Sequence, residues 1–370
     1  MVAPTNAPCY IQRIGTAVPE TCLEANESAD LLVNACTSQR GMKLLQRITR
    51  LTGIQRRYLA GAGLTSRVPS TEAIFLPSSV QPNGPGMAAR TDVFDRESRP
   101  VVLRAFRDFS RESLERVETL ITICCTQAAT PGLEQTVLSH TPVPASVNRW
   151  NLGFMGCSAG LAGVRLAHHA AELRRECLLV ACELASLHFQ YTDLLDQMTA
   201  NVLFGDGAAV ISISPRPSGV RVVDCACYSL TEFAEQMIWA AGDHGLRLVL
   251  AQELPDTIAA HLPGAMSDFL QRNGLTQRQI RHWAAHPGGP QILNAVESSL
   301  ALPGEALQLS RDVLREHGNM VSPTIFFVLK RLIDSGAAGP AIAVAFGPGL
   351  TIEIVLLELD PNVGGAAAER

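Results

Sequence analysis

A cysteine, a histidine and an asparagine, far apart in the chain, each sit beside a glycine-containing turn. Cys157 lies in Trp150-Asn-Leu-Gly-Phe-Met-Gly-Cys-Ser-Ala-Gly160, where an apolar, extended run gives way to a small-residue stretch that favours helix. A strand, a tight turn and a buried helix would put this thiol at a helix N-terminus. The positive end of the helix dipole lowers a thiol pKa there and favours the nucleophilic thiolate. His286 closes a short apolar run just before Pro287-Gly-Gly-Pro290, a turn that would hold an imidazole rigidly at the mouth of a sheet. Asn319 follows Gly318 and precedes a helical stretch. Together the three read as a Cys–His–Asn site for nucleophilic catalysis. Singly, each has a plainer explanation: free Cys is among the most buried residue types, a His at a strand end is more often structural, and Gly-Asn is a turn.

Two other arrangements compete. Gly156-Cys-Ser158-Ala-Gly160 satisfies the Gly-x-Ser-x-Gly elbow of serine hydrolases, in the strand–turn–helix context which that motif needs. No HGGG-like oxyanion segment lies upstream, and Cys157 is the better nucleophile at the sharper position. His282 and His286 are spaced to bind zinc on a helix, but Pro287 follows directly and the run reads as a strand. Cys225-x-Cys227 offers no completion, so no metal is expected.

The elements that would position these residues alternate between strand and helix, which argues for an α/β architecture. Residues 10–18 read as a strand, 25–33 as a helix, and 43–59 as a basic amphipathic helix followed by an extended piece. Residues 60–100, with Pro69, Pro77, Pro82, Pro85 and Pro100, read as a surface loop, and 101–117 as the next helix. Leu120–Cys125 and Cys177–Cys182 are continuous apolar runs of the buried-strand type. Gly205 pivots into another strand that ends near Ile213. In the second half, helices are expected over 254–273, 291–300 and 322–332, with strands at 281–286, 341–346 and 351–357.

The chain has 370 residues, 47% hydrophobic and 18% charged, with net charge −5. That is enough for a large core and gives no electrostatic appetite for nucleic acid or an anionic membrane. No apolar run reaches the roughly 18 residues of a membrane span. The ten cysteines are scattered and no signal-peptide pattern opens the sequence, so a cytoplasmic chain with reduced thiols is expected.

Five blocks in order now carry a resemblance: Met155-Gly-Cys-Ser-Ala-Gly160, Leu203-Phe-Gly-Asp-Gly-Ala-Ala209, His286-Pro-Gly-Gly-Pro290, Gly318-Asn-Met320 and Phe346-Gly-Pro-Gly-Leu-Thr-Ile-Glu353. With Arg56-Arg-Tyr58, Thr122–Thr126 and Glu183–Phe189 in support, the chain resembles the type III polyketide synthases, the chalcone-synthase-like family, and its bacterial branch in particular. The resemblance implies a thiolase-like five-layered α/β/α/β/α sandwich of two related halves. Residues 1–215 would carry the Cys, and residues 216–370 the His and Asn. It implies that Cys157 carries an acyl starter taken from CoA, and that His286 pairs with the thiolate. His286 and Asn319 would hold the enolate made by decarboxylating malonyl-CoA, and repeated Claisen condensation would lead to a pyrone, resorcinol or phloroglucinol-type product. The alternatives are a single condensation or acyl transfer of the ketoacyl synthase III kind, and a hydrolase using Ser158. Phe204 matches the family's gatekeeper aromatic, and Leu248 falls where plant enzymes carry a second. Cys125, Thr130, His188 and Trp239 are expected around the pocket, with Thr130 near where a dimer partner normally contributes. Arg47, Gly288 and Gly289 match CoA-binding positions, although Leu44 and Leu51 stand where the family carries further lysines. No cofactor beyond CoA thioesters is implied, and a homodimer is.

Overall fold

The computed structural model describes residues 8–60, 79–80, 82–171 and 175–361. The first half holds strands β1 (Tyr10–Ala17), β2 (Cys22–Glu24), β3 (Arg56–Tyr58), β4 (Thr119–Ile123), β5 (Asn148–Leu152), β6 (Cys177–Leu184) and β7 (Asp206–Ser214). The second holds β8 (Val220–Ser229), β9 (Met237–Gly242), β10 (Gly245–Leu250), β11 (His282–Ala285), β12 (Gly339–Gly347) and β13 (Thr351–Leu359). β2 pairs with β3 and β9 with β10, while the other nine run in the order β11–β12–β13–β8–β1–β7–β6–β4–β5. β4 is parallel to β5 and β6, and β11 to β12. β1 and β8 meet through two register pairs, Tyr10–Arg221 and Ile11–Val220.

Side chains alternate across each strand, so a strand apolar at every position must be covered on both faces. Cys177, Leu179 and Ala181 of β6 face a central cluster with Ala341, Ala343 and Ala345 of β12. Leu178, Val180 and Cys182 turn the other way, onto Val93, Phe94 and Val101 of the helix Met87–Ala105. On β12, Ile342, Val344 and Phe346 turn outward onto Leu262 and Phe269 of the helix Leu254–Arg272. The central cluster is filled by two helices, Ala159–Ala171 and Thr324–Asp334, through Leu161, Val164, Ile325 and Phe326. Outer helices, sheet, central helices, sheet and outer helices make the five layers of a thiolase-like sandwich.

Small residues let the first central helix sit this close. A Cβ on Gly163 would lie 2.4 Å from Leu179, and one on Gly160 would lie 2.6 Å from the Ser322 carbonyl.

The segment read as a loop over 60–100 differs. Residues 61–78 and 81 lie outside the described residues, and a helix spans Met87–Ala105 with Pro100 inside it. An interior proline costs a helix about 3 kcal/mol. Here packing of Val93, Phe94, Val101 and Val102, all buried, offsets that cost. Arg90 helps, donating to the carbonyls of Pro85, Leu187 and Phe189. The expected single helix over 101–117 is the end of this helix plus a short one, Arg111–Glu115. A further helix, Gln308–His317, covers residues left unassigned by the sequence reading. β5 is an exposed edge strand that stops at Leu152, before the Cys157 turn.

Candidate active site

The Cys157 turn is a single 3-10 turn, Gly156–Ser158, running straight into the central helix Ala159–Ala171. Gly156 has φ +58, and a Cβ there would press on the Pro348 ring at 2.7 Å, so the position needs glycine. Its N–H donates to Cys125 Sγ at 3.3 Å. Ser158 is buried and donates to the Met155 carbonyl at 3.0 Å, with Thr351 Oγ1 at 3.3 Å. The hydroxyl is engaged in the fold and is not among the groups lining the cavity, which removes support from the serine-hydrolase alternative.

His286 directly follows β11, its backbone N–H donating to the Val344 carbonyl at 2.8 Å. Asn319 is tied to the other half of the chain by its backbone. Its N–H donates to Leu203 O at 2.8 Å and its carbonyl accepts from Gly205 at 3.0 Å, so that Phe204 and Asn319 form a parallel bridge. The side-chain amide is fixed as well. Oδ1 accepts the Val321 N–H at 2.8 Å and lies 3.5 Å from the Thr324 hydroxyl. Nδ2 is thereby left facing Cys157 Sγ at 3.7 Å and Gly288 O at 3.4 Å. The same thiol lies 3.8 Å from Oδ1. Val321 holds φ +57 while fully buried, a conformation that costs a β-branched residue of the order of 1–3 kcal/mol.

Cys157, His286 and Asn319 line one cavity of about 770 Å³. Phe204, Trp239 and Leu248 wall it, and Gly288 and Gly289 line it too. Phe204 and Trp239 meet edge to face, with centroids 5.8 Å apart, and Leu248 stands opposite Trp239 in the β9–β10 hairpin. Leu51, 69% exposed, and Leu195 line it as well.

Cys125, Thr130, His188 and Arg47 do not line this cavity, although His188 lines a smaller one that shares Phe204, Trp239 and Leu248 with it. Cys125 lies beneath the nucleophile turn. His188 is a post: Leu246 N–H donates to its Nδ1 at 3.1 Å, so Nε2–H donates to the Thr126 carbonyl at 2.8 Å. Burial pulls this imidazole down to about 4. Thr130 is exposed, on the loop before Pro131, and Arg47 is exposed on the helix Gln39–Thr52, whose Ile48, Leu51 and Thr52 line the cavity. His282, expected to bind no metal, contacts the Ala338 carbonyl at 3.2 Å.

Burial governs the electrostatics. It pushes the Cys157 thiol up to about 12, opposed by the Asn319 amide and reinforced by the Glu183 carboxyl. It pulls His286 down to about 3. Asn319 opposes that pull at a geometry short of a hydrogen bond, since neither ring nitrogen has a partner among the described residues. Burial thus works against charge on either group. That opposes the pull of the helix end on the same thiol. A helix terminus supplies up to about 2 kcal/mol, whereas desolvating a charge costs several.

Sequence reasoning missed Glu183 as a clamp. Fully buried, with its pKa raised by burial, it accepts from the Cys125 N–H at 3.0 Å, the Thr126 N–H at 3.1 Å and the Ser322 hydroxyl at 2.8 Å. It thus joins the loop under Cys157 to the segment after Asn319. A glutamate inside an apolar strand was the available signal, because such a residue requires partners.

Comparison with known proteins gives concordant findings. The family model for chalcone and stilbene synthases, N-terminal domain, matches residues 3–217, and that for the C-terminal domain matches 230–360. The 1,3,6,8-tetrahydroxynaphthalene synthase of Streptomyces coelicolor is 26% identical over 354 residues, covering 93% of this chain and 90% of that protein. Its crystal structure superposes with TM-score 0.82, covering 95% and 99% of the two chains. PKS-I from the brown alga Ectocarpus siliculosus superposes with TM-score 0.87 at 24% identity, covering 96% and 99%.

Proposed function

Because the chain belongs to the chalcone and stilbene synthase family, we propose that Cys157, His286 and Asn319 carry out its polyketide synthesis on a neutral acyl starter. The chain is a type III polyketide synthase, an acyltransferase-class enzyme that uses malonyl-CoA and needs no cofactor beyond CoA thioesters. The observation that carries the assignment of roles is the convergence of a thiol, an imidazole and an orientation-locked amide on one cavity.

In the loading step, the Cys157 proton passes to His286 as Sγ attacks the starter thioester, and His286 returns it to the departing CoA sulfur. In the extension step, the carbon–carbon bond to the malonyl carboxylate breaks, CO2 leaves, and its electron pair becomes an enolate on the thioester oxygen. Asn319 Nδ2 and a His286 N–H hold that oxygen, each donor contributing about 3–4 kcal/mol. The enolate carbon then attacks the Cys157 thioester and Sγ departs as thiolate, ready for transfer of the lengthened chain.

The lining supports a neutral starter. Among the described residues, no lysine or arginine lines the cavity, and Asp196 is its one acid. A buried carboxylate on the starter would have no cation to compensate its desolvation. Aliphatic or aromatic neutral acyl groups fit, and Leu248 in place of a larger ring leaves room for them. Arg47 on the exposed helix face, with Gly288 and Gly289 at the cavity wall, would receive the CoA arm. A triketide or tetraketide released as a pyrone, resorcinol or phloroglucinol-type ring is the expected product.

We further read residues 1–215 and 216–370 as the two related halves, with the site between them. We read the assembly as a homodimer: β5 is an exposed edge carrying Trp150, and exposed Phe154 follows it. Thr130, exposed on its own protomer, would then line the partner's cavity. A single-protomer mass by light scattering would overturn the dimer. No described helix is long and apolar enough to cross a membrane. Among the described residues no two cysteines form a disulfide, in keeping with the reduced thiols of a cytoplasmic setting.

The test is incubation with malonyl-CoA and a panel of neutral and acidic acyl-CoAs, followed by product mass spectrometry. Neutral starters should give products extended by more than one unit, and Cys157→Ala should give none. Full condensation by Cys157→Ala would sink the assignment, and products of one extension alone would favour the single-condensation alternative.

A further inference from the structure

Arg57, on β3, is 2% exposed and its guanidinium holds backbone. Nη1 donates to the carbonyls of Asn201 and Phe204, both at 2.7 Å, and Nη2 donates to the Ser28 hydroxyl. Asp206 is the acid nearest in charge, but its oxygens are taken by the Ala60 N–H at 2.6 Å, the Ser186 N–H at 2.8 Å and the Ser186 hydroxyl. Burial pulls the guanidinium down to about 10, with Asp206 opposing, so it stays charged at neutral pH. A buried arginine spent on two main-chain carbonyls of one segment fixes that segment.

That segment is the one to which the amide of the site is bridged. Leu203 O and Gly205 N–H both bond the Asn319 backbone, on either side of Phe204. The crossing is tight. A Cβ on Gly205 would meet the His317 carbonyl at 2.3 Å. One on Gly318, which has φ +70, would meet Leu203 O at 2.8 Å and Arg57 Cδ at 3.1 Å. Arg57 thus packs against the crossing as well as bonding to it, while remaining outside the lining of the main cavity.

We propose that Arg57 is a positioning residue for extension: by pinning the Phe204 carbonyl it sets the Phe204 ring and, through the backbone bridge, the Asn319 amide against Cys157. This rests on the roles given above to Asn319 and Cys157. Starter loading needs the thiol and imidazole, which lie on other elements, so loading and extension should separate.

The experiment compares wild type with Arg57→Met, Arg57→Lys and Ser28→Ala. Three quantities are read: the rate of Cys157 acylation by intact-protein mass after one turnover of acyl-CoA, CO2 release from malonyl-CoA, and Tm. A displacement near 1 Å costs up to about 10²-fold in rate. Arg57→Met should therefore lose CO2 release by about 30- to 100-fold, with acylation changed by less than about 3-fold. Arg57→Lys should recover part of that loss. Equal falls in both rates, or no fall in either, in a folded Arg57→Met would overturn the assignment. If Arg57→Met fails to fold, Ser28→Ala decides: it keeps the charge, releases Nη2, and should lower the ratio of CO2 release to acylation by several-fold, whereas an unchanged ratio overturns the assignment. If wild type itself neither acylates Cys157 nor releases CO2, it is the reading of the site that fails rather than the role of Arg57.

Discussion

Replacing Asn319 separates the two jobs its side chain does. Oδ1 satisfies the buried Val321 N–H at 2.8 Å, and Nδ2 faces the site, 3.7 Å from Cys157 Sγ. Asn319→Ala removes both. Losing one oxyanion donor should slow CO2 release from malonyl-CoA by about 10²–10³-fold, equivalent to about 3–4 kcal/mol. Leaving the Val321 N–H without an acceptor should cost about 1–3 kcal/mol of stability. Asn319→Asp keeps an acceptor for Val321 and puts an oxygen where the donor was. It should lose CO2 release at least as severely while retaining more of the stability. Both variants should still take an acyl group on Cys157. The assay is acetyl-CoA and CO2 formation from malonyl-CoA alone, alongside intact-protein mass after acyl-CoA and a thermal melt. CO2 release within about 3-fold of wild type in a folded Asn319→Ala would refute the reasoning, since no oxyanion donor of the size given above could then reside there.

Alkylation of resting Cys157 by iodoacetamide should climb about tenfold per pH unit between pH 6 and 9, because a thiol raised to about 12 exposes thiolate only as pH rises. A flat profile would mean a preformed thiolate–imidazolium pair. Leu248→Phe, beside Phe204 and opposite Trp239, should shift preference towards shorter starters, by about 10-fold or more in the ratio of kcat/KM values for starters several methylenes apart; an unchanged ratio in competition assays would show that Leu248 does not bound the acyl chain. Arg165 holds the fully buried Glu353 carboxylate with two bonds, at 3.0 and 2.8 Å. Arg165→Met should therefore lose about 3–5 kcal/mol in denaturant unfolding, much of it regained in the double variant with Glu353→Leu. A double variant no more stable than the single one would refute that account.

The strands around the site were legible because burial on both faces leaves an uninterrupted apolar run, as in Cys177–Leu184. The central helix was legible because Ala159, Gly160, Ala162 and Gly163 have no other use for so little side chain. The helix across Pro100 was not, since its stability comes from partners distant in sequence and local propensity argues against it. The same holds for ionisation. A cysteine at a helix start announces a dipole, but the loss of water that opposes it exists only in the folded chain. His188 and Arg57 illustrate the third gap. Their residue types suggested pocket chemistry or a family motif, and only the fold shows that His188 spends its hydrogen bonds on backbone, and Arg57 on two carbonyls and the Ser28 hydroxyl.

The alternation along β6 and β12 also bears on how such an enzyme can change. Residues at 177, 179, 181, 341, 343 and 345 touch the layer that carries the Cys157 helix, so a volume change there is transmitted to the nucleophile. Their neighbours at 178, 180, 182, 342 and 344 touch the outer helices, whereas Phe346, which also packs on an outer helix, lines the catalytic cavity. Each sheet is in this sense a partition between a precise compartment and a tolerant one. Sequence drift, or deliberate stabilisation, has its freest ground on the outer side, one residue away along the same strand from positions where the reaction would register it.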